Sequence, residues 1–389
     1  MSFCSCRLHQ LHQNRSFSFI NARIKLVRDP YLDKAVQIEK NLKQILSLKN
    51  QILSSSSSTP KSIPLSSLSI LKPHLQIPTT ASKFFQNYPS LFTLFQPSPS
   101  LPLHIKLTPR FLSLHKQESL IHNSPLHRHH TVQRLSKLLM LTGSSSLPLH
   151  VIDRFKFDLG LPHNYLTALL ADYPDFFQLC TFTDRLTNRE TVALELVAWR
   201  SELAVSEMER RVSGGDLRVK KGMPLRFKMS LPSGFDLEKK VLNWVDEFQC
   251  LPYVSPYENA FHLGAISDQA EKWAVAVLHE LLWLLVSKKT EKANVFYLGD
   301  YFGFGDRFAK VLKHHPGIFY VSNKIRTQTI VLREAYRKDF LVEKHPLMGM
   351  RYRYIYLMNK VMRKKTRKPI VGSNLVLQRR REFAIDANK

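Results

Sequence analysis

KFFQNYPSLF at residues 83–92 is the first of three related segments; the others are LLADYPDFF at 169–177 and KVLKHHPGIF at 310–319. In each segment an apolar helical end is followed by Tyr or His, a proline, one small or polar residue, an apolar residue and Phe. Proline has no backbone N–H and pushes the residue before it out of the helical region, so each segment predicts the end of a helix. Strand-like sequence follows every copy. The chain therefore predicts a repeated unit of helix, proline turn and strand.

Each copy leads into two strand-like runs that predict a β-hairpin. The pairs are 91–95 with 103–107, 177–182 with 192–199, and 318–321 with 327–332. A helix followed by a hairpin resembles half of a winged-helix unit. The three prolines are 85 and 142 residues apart, which exceeds the roughly 20–50 residues of a solenoid repeat. The predicted fold class is α+β and helix-rich, with serial winged-helix-like modules in which prolines end the helices.

Composition divides the chain into a leader, a folded body and a tail. Residues 1–28 contain five Arg and Lys residues, several serines and no acidic residue, which is typical of an organelle transit peptide. A disordered basic arm is the alternative. RSFS at 15–18 resembles a mitochondrial processing site and favours the mitochondrion over the chloroplast. The body at 29–360 is predicted to contain submodules 29–150, 151–230 and 231–360, ahead of a basic C-terminal tail at 361–389.

Helical periodicity predicts further elements in the body. Apolar residues near helical spacing predict one helix over 29–53, followed by a serine-rich linker at 54–58. Amphipathic helices are predicted over 235–248 and 267–287. The most apolar run, 274–286, is shorter than the roughly 20 residues that cross a bilayer. It is therefore interpreted as a buried core helix, and no membrane span is predicted.

The chain of 389 residues is strongly basic, with 57 Lys and Arg residues against 31 Asp and Glu residues and a formal net charge of +26. Such a surplus favours a polyanionic partner, which is RNA, DNA or an anionic membrane. A basic protein without such a partner is the alternative. The four cysteines, Cys4, Cys6, Cys180 and Cys250, form no CxxC pair. We therefore expect neither a zinc site nor a disulfide framework.

Known catalytic motifs are missing from the sequence. The glycines Gly299, Gly303 and Gly305 lack the following Gly-Lys-Ser/Thr of a phosphate-binding loop, and no nucleophile elbow or His-Glu-x-x-His helix occurs. HRHH at 127–130 has neither helical-face spacing nor an acidic or cysteine partner for a metal, so it is interpreted as a solvated basic loop or an RNA contact. We predict a protein that is not an enzyme, with no catalytic residue, metal or cofactor.

Two basic segments contain the candidate RNA contacts. In the first, tyrosines alternate with arginines ahead of a run of cations; aromatic rings stack on unpaired bases and cations bind phosphate. Its candidates are Arg351, Tyr352, Arg353, Tyr354, Lys360, Arg363, Lys364, Lys365, Arg367 and Lys368. The alternative is a helix whose tyrosines pack inward and whose basic face is solvated. The second segment surrounds GMPL at 222–225 and supplies Lys220, Lys221, Arg226 and Lys228.

Several short motifs, taken in order, resemble the plant organelle RNA recognition family. They are RDPYLD at 28–33, the Tyr88-Pro89 and Tyr173-Pro174 pairs, GMPL at 222–225, LPYVSPY at 251–257, FYVS at 319–322 and KHPL at 344–347. The resemblance covers about residues 29–360. It implies an RNA-binding protein of mitochondria or chloroplasts that is not an enzyme and that promotes splicing of group II introns. The implied partners are organellar intron RNA and other splicing factors.

Other functions stay open at this level. Winged-helix-like modules usually read duplex DNA, which favours an organellar transcription factor. The same positive charge suits a structural protein of the organellar ribosome. A metal-dependent nuclease is the most distant alternative.

Overall fold

The computed structural model describes residues 27–54, 61–75, 77, 80–214, 220–231, 238–260, 262–264 and 266–360. The predicted leader up to residue 26, most of the serine run and the basic tail at 361–389 lie outside the described residues. The helices are α1 Pro30–Gln37, α2 Leu42–Ser54, α3 Leu65–Leu75, α4 Ala81–Gln86, α5 Pro109–Asn123, α6 Pro125–Met140, α7 Leu149–Leu159, α8 Tyr165–Ala168, α9 Glu207–Ser213, α10 Lys239–Cys250, α11 Asp268–Leu284, α12 Lys292–Tyr301, α13 Arg307–His314 and α14 Pro346–Asn359. The strands are β1 Ser62–Pro64, β2 Phe92–Phe95, β3 His104–Leu107, β4 Ser146–Pro148, β5 Phe177–Thr183, β6 Glu190–Leu196, β7 Lys289–Glu291, β8 Phe319–Ser322, β9 Thr329–Leu332, β10 Tyr336–Arg337 and β11 Phe340–Leu341.

Three small antiparallel sheets share one topology. Their strand orders are β1-β3-β2, β4-β6-β5 and β7-β9-β8. In each sheet the strand that comes last in the chain is therefore the central one. In each case a helix precedes the first strand, two helical segments follow it, and the proline turn leads into the hairpin. The first strands begin at Ser62, Ser146 and Lys289, and the prolines follow 27, 28 and 27 residues later. This helix-strand-helix-helix-hairpin order is a complete winged-helix unit, and the predicted helix-rich α+β fold is confirmed.

The repeated proline segment forms the same backbone turn in all three modules. The carbonyl of the residue before the proline, in Tyr88, Tyr173 and His315, accepts hydrogen bonds from the amides three and four residues later, at 3.0–3.3 Å. The final phenylalanines of the segments, Phe92, Phe177 and Phe319, are buried. The turn therefore ends each helix, reverses the chain and inserts an aromatic ring into the core at the start of the hairpin.

Some predicted elements need correction. The single helix predicted over 29–53 is two helices, α1 and α2, because Asn41 takes a left-handed conformation with φ of 65°, which asparagine tolerates better than most residues. The predicted loop at 127–130 is the first part of α6, which begins at Pro125 after Ser124, and proline suits the first position of a helix. The amphipathic helices predicted over 235–248 and 267–287 are α10 and α11. The three-residue strands β1, β4 and β7 were not predicted.

The described residues form two compact units, 27–45 with 115–351 and 46–114 with 352–360. The larger unit contains α1 and the sheets of the second and third modules, and the smaller unit contains the sheet of the first module. The central helix of the larger unit is α11, which is buried from Ala274 to Leu282. The apolar run predicted as a core helix is therefore confirmed. Among the described helices, none has both the length and the apolar character needed to cross a membrane.

The N-terminal RDPYLD motif is a clamp on the third module. The Asp29 carboxylate accepts hydrogen bonds from the amides of Tyr31 and Leu32 and so caps α1; it also pairs with the buried Arg333 at 2.8 Å. The Asp33 carboxylate accepts hydrogen bonds from the hydroxyls of Tyr320 at 2.9 Å and Ser322 at 2.6 Å. Two motifs that are almost 290 residues apart in the chain, RDPYLD and FYVS, therefore form one hydrogen-bonded site.

Replacing Asp33 with asparagine is expected to lower the free energy of unfolding by about 2 kcal/mol, because hydrogen bonds to a charged acceptor contribute about 1.5–3 kcal/mol. Burial alone would raise the pKa of Asp33, but hydrogen bonds from Ser322, Arg28 and Tyr320 outweigh burial and hold the pKa below its usual value. A carboxylate with a depressed folded-state pKa stabilises the fold above its unfolded pKa of about 3.9, and this contribution is lost as the pH falls through the folded value.

Urea denaturation of wild type and Asp33→Asn at several pH values measures this effect, and the exposed Asp175→Asn is the matched control. At neutral pH the urea midpoint of Asp33→Asn is expected to lie below that of wild type. This difference in midpoint is expected to shrink below about pH 4. Equal midpoints for wild type and Asp33→Asn at neutral pH would show that the clamp is not stabilising.

Candidate nucleic-acid interface

The three tyrosines of α14, of which Tyr352 and Tyr354 are predicted contacts, lie in two environments. Tyr352 and Tyr356 are 39% and 58% exposed, whereas Tyr354 is fully buried. Residues four apart lie on the same side of a helix, and a residue between them lies away from that side. The alternating sequence therefore places two tyrosines at the surface and one in the core, so the inward-packing alternative applies to Tyr354 and not to Tyr352 or Tyr356.

A groove of about 500 Å³ lies between α5 and α14 within the smaller unit. Its lining combines two aromatic rings, three cations and two leucines with one serine, and it contains no acidic residue. The lining residues are Arg110, Ser113 and Leu114 of α5, with Tyr352, Arg353, Tyr356 and Leu357 of α14 and Lys360 just beyond it. Tyrosine rings next to cations provide a stacking surface for bases together with contacts for phosphates. Three of the predicted contacts, Tyr352, Arg353 and Lys360, are thus brought together.

Two predicted contacts are interior residues instead, which corrects their assignment. Arg351 is buried, its guanidinium lies 3.9 Å from the centroid of the Phe157 ring, and it donates a hydrogen bond to the Phe157 carbonyl. Tyr354 packs edge-on against Phe111, with ring centroids 5.5 Å apart. The buried Lys49 ammonium lies 5.2 Å from the Tyr354 ring centroid. These two side chains hold α14 in place and do not face a ligand.

The second predicted segment is exposed but is already partly paired. Leu225 and Phe227 are buried, and the Gln249 side chain bonds both backbone groups of Phe227, at 2.8 and 3.1 Å. The alternate residues Arg226 and Lys228 therefore face solvent. Lys220 and Lys221 are also exposed and directly precede Gly222, whose φ of 81° suits glycine. Lys221 lies 3.5 Å from the Glu258 carboxylate, which reduces the positive charge that this segment offers to a ligand. Arg226 donates a hydrogen bond to the Cys250 sulfur.

The family follows from comparison with known proteins. Residues 27–363 match the model of the plant organelle RNA recognition domain, which is most of the chain. The protein belongs to the plant organelle RNA recognition family. The motifs quoted above, including the RDPYLD clamp, lie within this match, so the predicted family is confirmed.

Three relatives are similar to this chain over most of its length. The Arabidopsis thaliana protein WHAT'S THIS FACTOR 9, mitochondrial, is 33% identical over 347 residues, which are 88% of this chain and 86% of the relative. The chloroplastic WHAT'S THIS FACTOR 1 of Zea mays is 29% identical over 338 residues, 84% of this chain and 65% of the relative. ROOT PRIMORDIUM DEFECTIVE 1 of Arabidopsis thaliana is 27% identical over 350 residues, 85% and 82% of the two chains. No solved structure matches the chain.

The remaining predicted residues are the cations of the tail and the histidines of the HRHH segment. Arg363, Lys364, Lys365, Arg367 and Lys368 lie outside the described residues. His127, predicted as part of a solvated or RNA-binding loop, is buried in α6, and burial lowers its pKa to about 4. His129 and His130 are exposed. No group of three or more potential metal ligands occurs among the residues that the structure describes.

Sequence reasoning missed the residues that α5 contributes to the groove. Arg110, Ser113 and Leu114 are about 240 positions before the tyrosines that they face. Arg110 is exposed and directly follows Pro109 at the start of α5. A single arginine in a chain this basic has no distinguishing signal, so only folding reveals its place in the groove.

Proposed function

We propose that the protein binds organellar RNA and promotes the splicing of group II introns. The observation that carries the proposal is the groove between α5 and α14, in which Tyr352 and Tyr356 lie beside Arg110, Arg353 and Lys360. Membership of an RNA recognition family supports it further. The groove suits unpaired nucleotides, because exposed rings stack on bases that are not already paired.

The proposed mechanism is selective binding without catalysis by the protein. Intron RNA adopts competing folds, and a protein that binds one fold more tightly shifts the population toward that fold by its differential affinity. The intron RNA itself carries out the two transesterifications. The protein supplies a rigid basic surface, and this role requires no catalytic residue and no cofactor.

The mitochondrion is the proposed compartment. The relative labelled mitochondrial is matched over 86% of its length, whereas the Zea mays chloroplastic relative is matched over 65% of its length. The Arg- and Ser-rich leader and its RSFS segment support the same assignment.

The test is RNA co-immunoprecipitation from purified plant mitochondria and, in parallel, chloroplasts, with sequencing of all recovered transcripts. Enrichment of one or two introns, together with retention of those introns in plants that lack the protein, is the expected result. Enrichment of ribosomal RNA alone would support the ribosomal alternative and overturn the splicing assignment.

A DNA-binding role is the second candidate, because the three modules have the winged-helix topology. Competition between a single-stranded RNA, a duplex RNA and a duplex DNA of the same sequence distinguishes these partners. Tighter binding to duplex DNA than to either RNA at all salt concentrations would favour a role as a transcription factor.

Salt dependence provides a quantitative prediction for the groove. Each phosphate neutralised on a single strand contributes about −0.7 to the slope of log affinity against log salt. We expect Arg110→Gln/Arg353→Gln/Lys360→Gln to reduce the magnitude of this slope by about 2 for a single-stranded RNA. Fluorescence anisotropy over a range of KCl concentrations measures it. Arg185→Gln/Arg189→Gln/Lys239→Gln makes the same charge change elsewhere, and an equal reduction in this control would contradict a role for the groove.

A further inference from the structure

We propose that the third winged-helix module binds the phosphate backbones of double-helical RNA through α13 and the turn between β8 and β9. The inference rests on the proposed RNA-binding function and adds a second class of RNA structure to it. The five cations concerned, here called the module-three cations, are Arg307, Lys310 and Lys313 of α13 with Lys324 and Arg326 of the turn.

Helix α13 is strongly amphipathic. Phe308, Val311 and Leu312 are buried on one side, whereas Lys310 and Lys313 are exposed on the other. The nearby carboxylate of Glu271 is hydrogen-bonded to His314 and His315, both at 2.9 Å. In the described part of the chain, none of the module-three cations forms an ion pair. Their charge is therefore available to an external anion.

The turn between β8 and β9 is held in shape while its cations face solvent. Ile325 packs inward against the cluster formed by α1 and the third sheet. The Gln328 side chain bonds Asn323 at 2.8 Å, and the Lys324 amide donates to the Ser322 hydroxyl at 3.4 Å. Lys324 and Arg326 are exposed. An ordered turn presents these two charges with less loss of conformational entropy on binding than a mobile loop would.

The other two modules act as internal comparisons. Counting back from the proline, Lys310 and Lys313 correspond to Lys83 and Gln86 in the first module and to Ala168 and Ala171 in the second. The hairpin turn of the first module, residues 96–103, contains no charged residue. The turn of the second module contains two arginines, but it begins with an aspartate and is followed by a glutamate at the start of β6. The shared fold therefore does not require the basic helix and basic turn, and their combination in the third module points to a ligand.

The chemistry of this surface favours a double helix over a single strand. The exposed residues of α13 and the turn are cations, small residues and amides, with no exposed aromatic ring for stacking. A double helix hides its bases and displays rows of phosphates, which cations on rigid elements contact without reading sequence. The turn lies at the far end of the four-residue strands β8 and β9, and its exposed Lys324 and Arg326 provide a second point of contact beside α13.

The test compares two RNA probes with the purified full-length protein: a blunt RNA duplex of about 20 base pairs, longer than the roughly 16 base pairs that a double-stranded RNA-binding domain spans, and an unstructured single strand. The variant Lys310→Gln/Lys313→Gln/Lys324→Gln/Arg326→Gln is expected to lose about 30-fold or more in duplex affinity and to reduce the salt slope by about 3–4. Its affinity for the single strand is expected to stay within about threefold of wild type. Arg185→Gln/Arg189→Gln/Lys239→Gln/Lys240→Gln is the control of equal charge, and thermal unfolding confirms that both variants fold.

Each outcome separates this inference from the proposed function. If wild type binds the single strand but not the duplex, the inference fails and the proposed function stands. If wild type binds neither RNA, the proposed function fails as well. An equal loss of duplex affinity in the control variant would show a general charge effect and overturn the assignment to α13 and the turn. Preferential binding of duplex DNA through the same residues would replace RNA as the partner.

Discussion

Glu280→Ala is expected to destabilise the larger unit by about 3–5 kcal/mol, the cost of breaking a buried ion pair by removing one partner. Glu280 lies on α11 and is almost completely buried. Its carboxylate lies 2.9 Å from the Lys137 ammonium of α6 and accepts hydrogen bonds from the Glu207 amide and the Tyr257 hydroxyl, both at 2.7 Å. The substitution removes all three interactions and leaves a largely buried ammonium without its carboxylate.

The position of Glu280 explains why the effect should be global. The helices α6 and α11 are the first helices of the second and third modules, and α9 and Tyr257 belong to the connection between them. Burial alone would raise the pKa of Glu280, but the Lys137 charge and the hydrogen bonds outweigh burial and lower it, so the carboxylate is ionised at neutral pH. One charged side chain therefore joins two modules and their connecting segment.

Urea denaturation of the full-length protein measures the Glu280 effect. Glu247→Ala, at an exposed position of α10, is the matched control and is expected to change stability by less than about 0.5 kcal/mol. Glu280→Gln keeps the shape of the side chain but removes the charge, and its midpoint is expected to lie between those of wild type and Glu280→Ala. A midpoint of Glu280→Ala equal to that of the control would contradict the role of this network.

Tyr352→Ala/Tyr356→Ala is expected to weaken binding of single-stranded RNA by about 30-fold or more, because stacking contributes about 1–3 kcal/mol per base and the variant removes two rings. Both side chains line the groove between α5 and α14 and are partly exposed. The buried Tyr354 lies on the same helix and anchors it. Loss of the two exposed rings should therefore remove the stacking surface while the helix stays in place.

Anisotropy titrations with an unstructured RNA measure this loss. Tyr352→Phe/Tyr356→Phe is the matched control, because it keeps both rings and removes only the hydroxyls, and its affinity is expected to stay within about threefold of wild type. If the Phe variant loses as much affinity as the Ala variant, the tyrosines act through their hydroxyls and the stacking model is wrong. Thermal unfolding shows whether either variant has lost its fold.

The Glu280 variants test the stability of the fold, and the tyrosine variants test RNA binding. The Glu280 network is expected to stabilise the packing of the second and third modules, and the groove tyrosines are expected to contact the proposed ligand. A loss of RNA binding without a loss of stability at Tyr352 and Tyr356 would therefore be a local effect. A loss of stability at Glu280 would be expected to reduce every function of the larger unit.

The sequence by itself determined the features that depend on neighbouring residues. Proline keeps the residue before it out of the helical region, so the three proline segments predicted the three helix ends and turns. The alternating runs that follow predicted the hairpins, which the structure places at β2–β3, β5–β6 and β8–β9. The order of short motifs identified the family, and composition alone indicated a polyanionic partner.

The tertiary structure alone decided which residues share a surface and which are buried. The strands β1, β4 and β7 are three residues long, and they form only because the third strand of each module lies beside them. The periodicity of α14 did not show which of its tyrosines faces the core; Phe111 and Lys49 surround Tyr354 and leave Tyr352 and Tyr356 at the groove. Burial depends on partners that are distant in the chain, so it is a property of the packed molecule and not of any local segment.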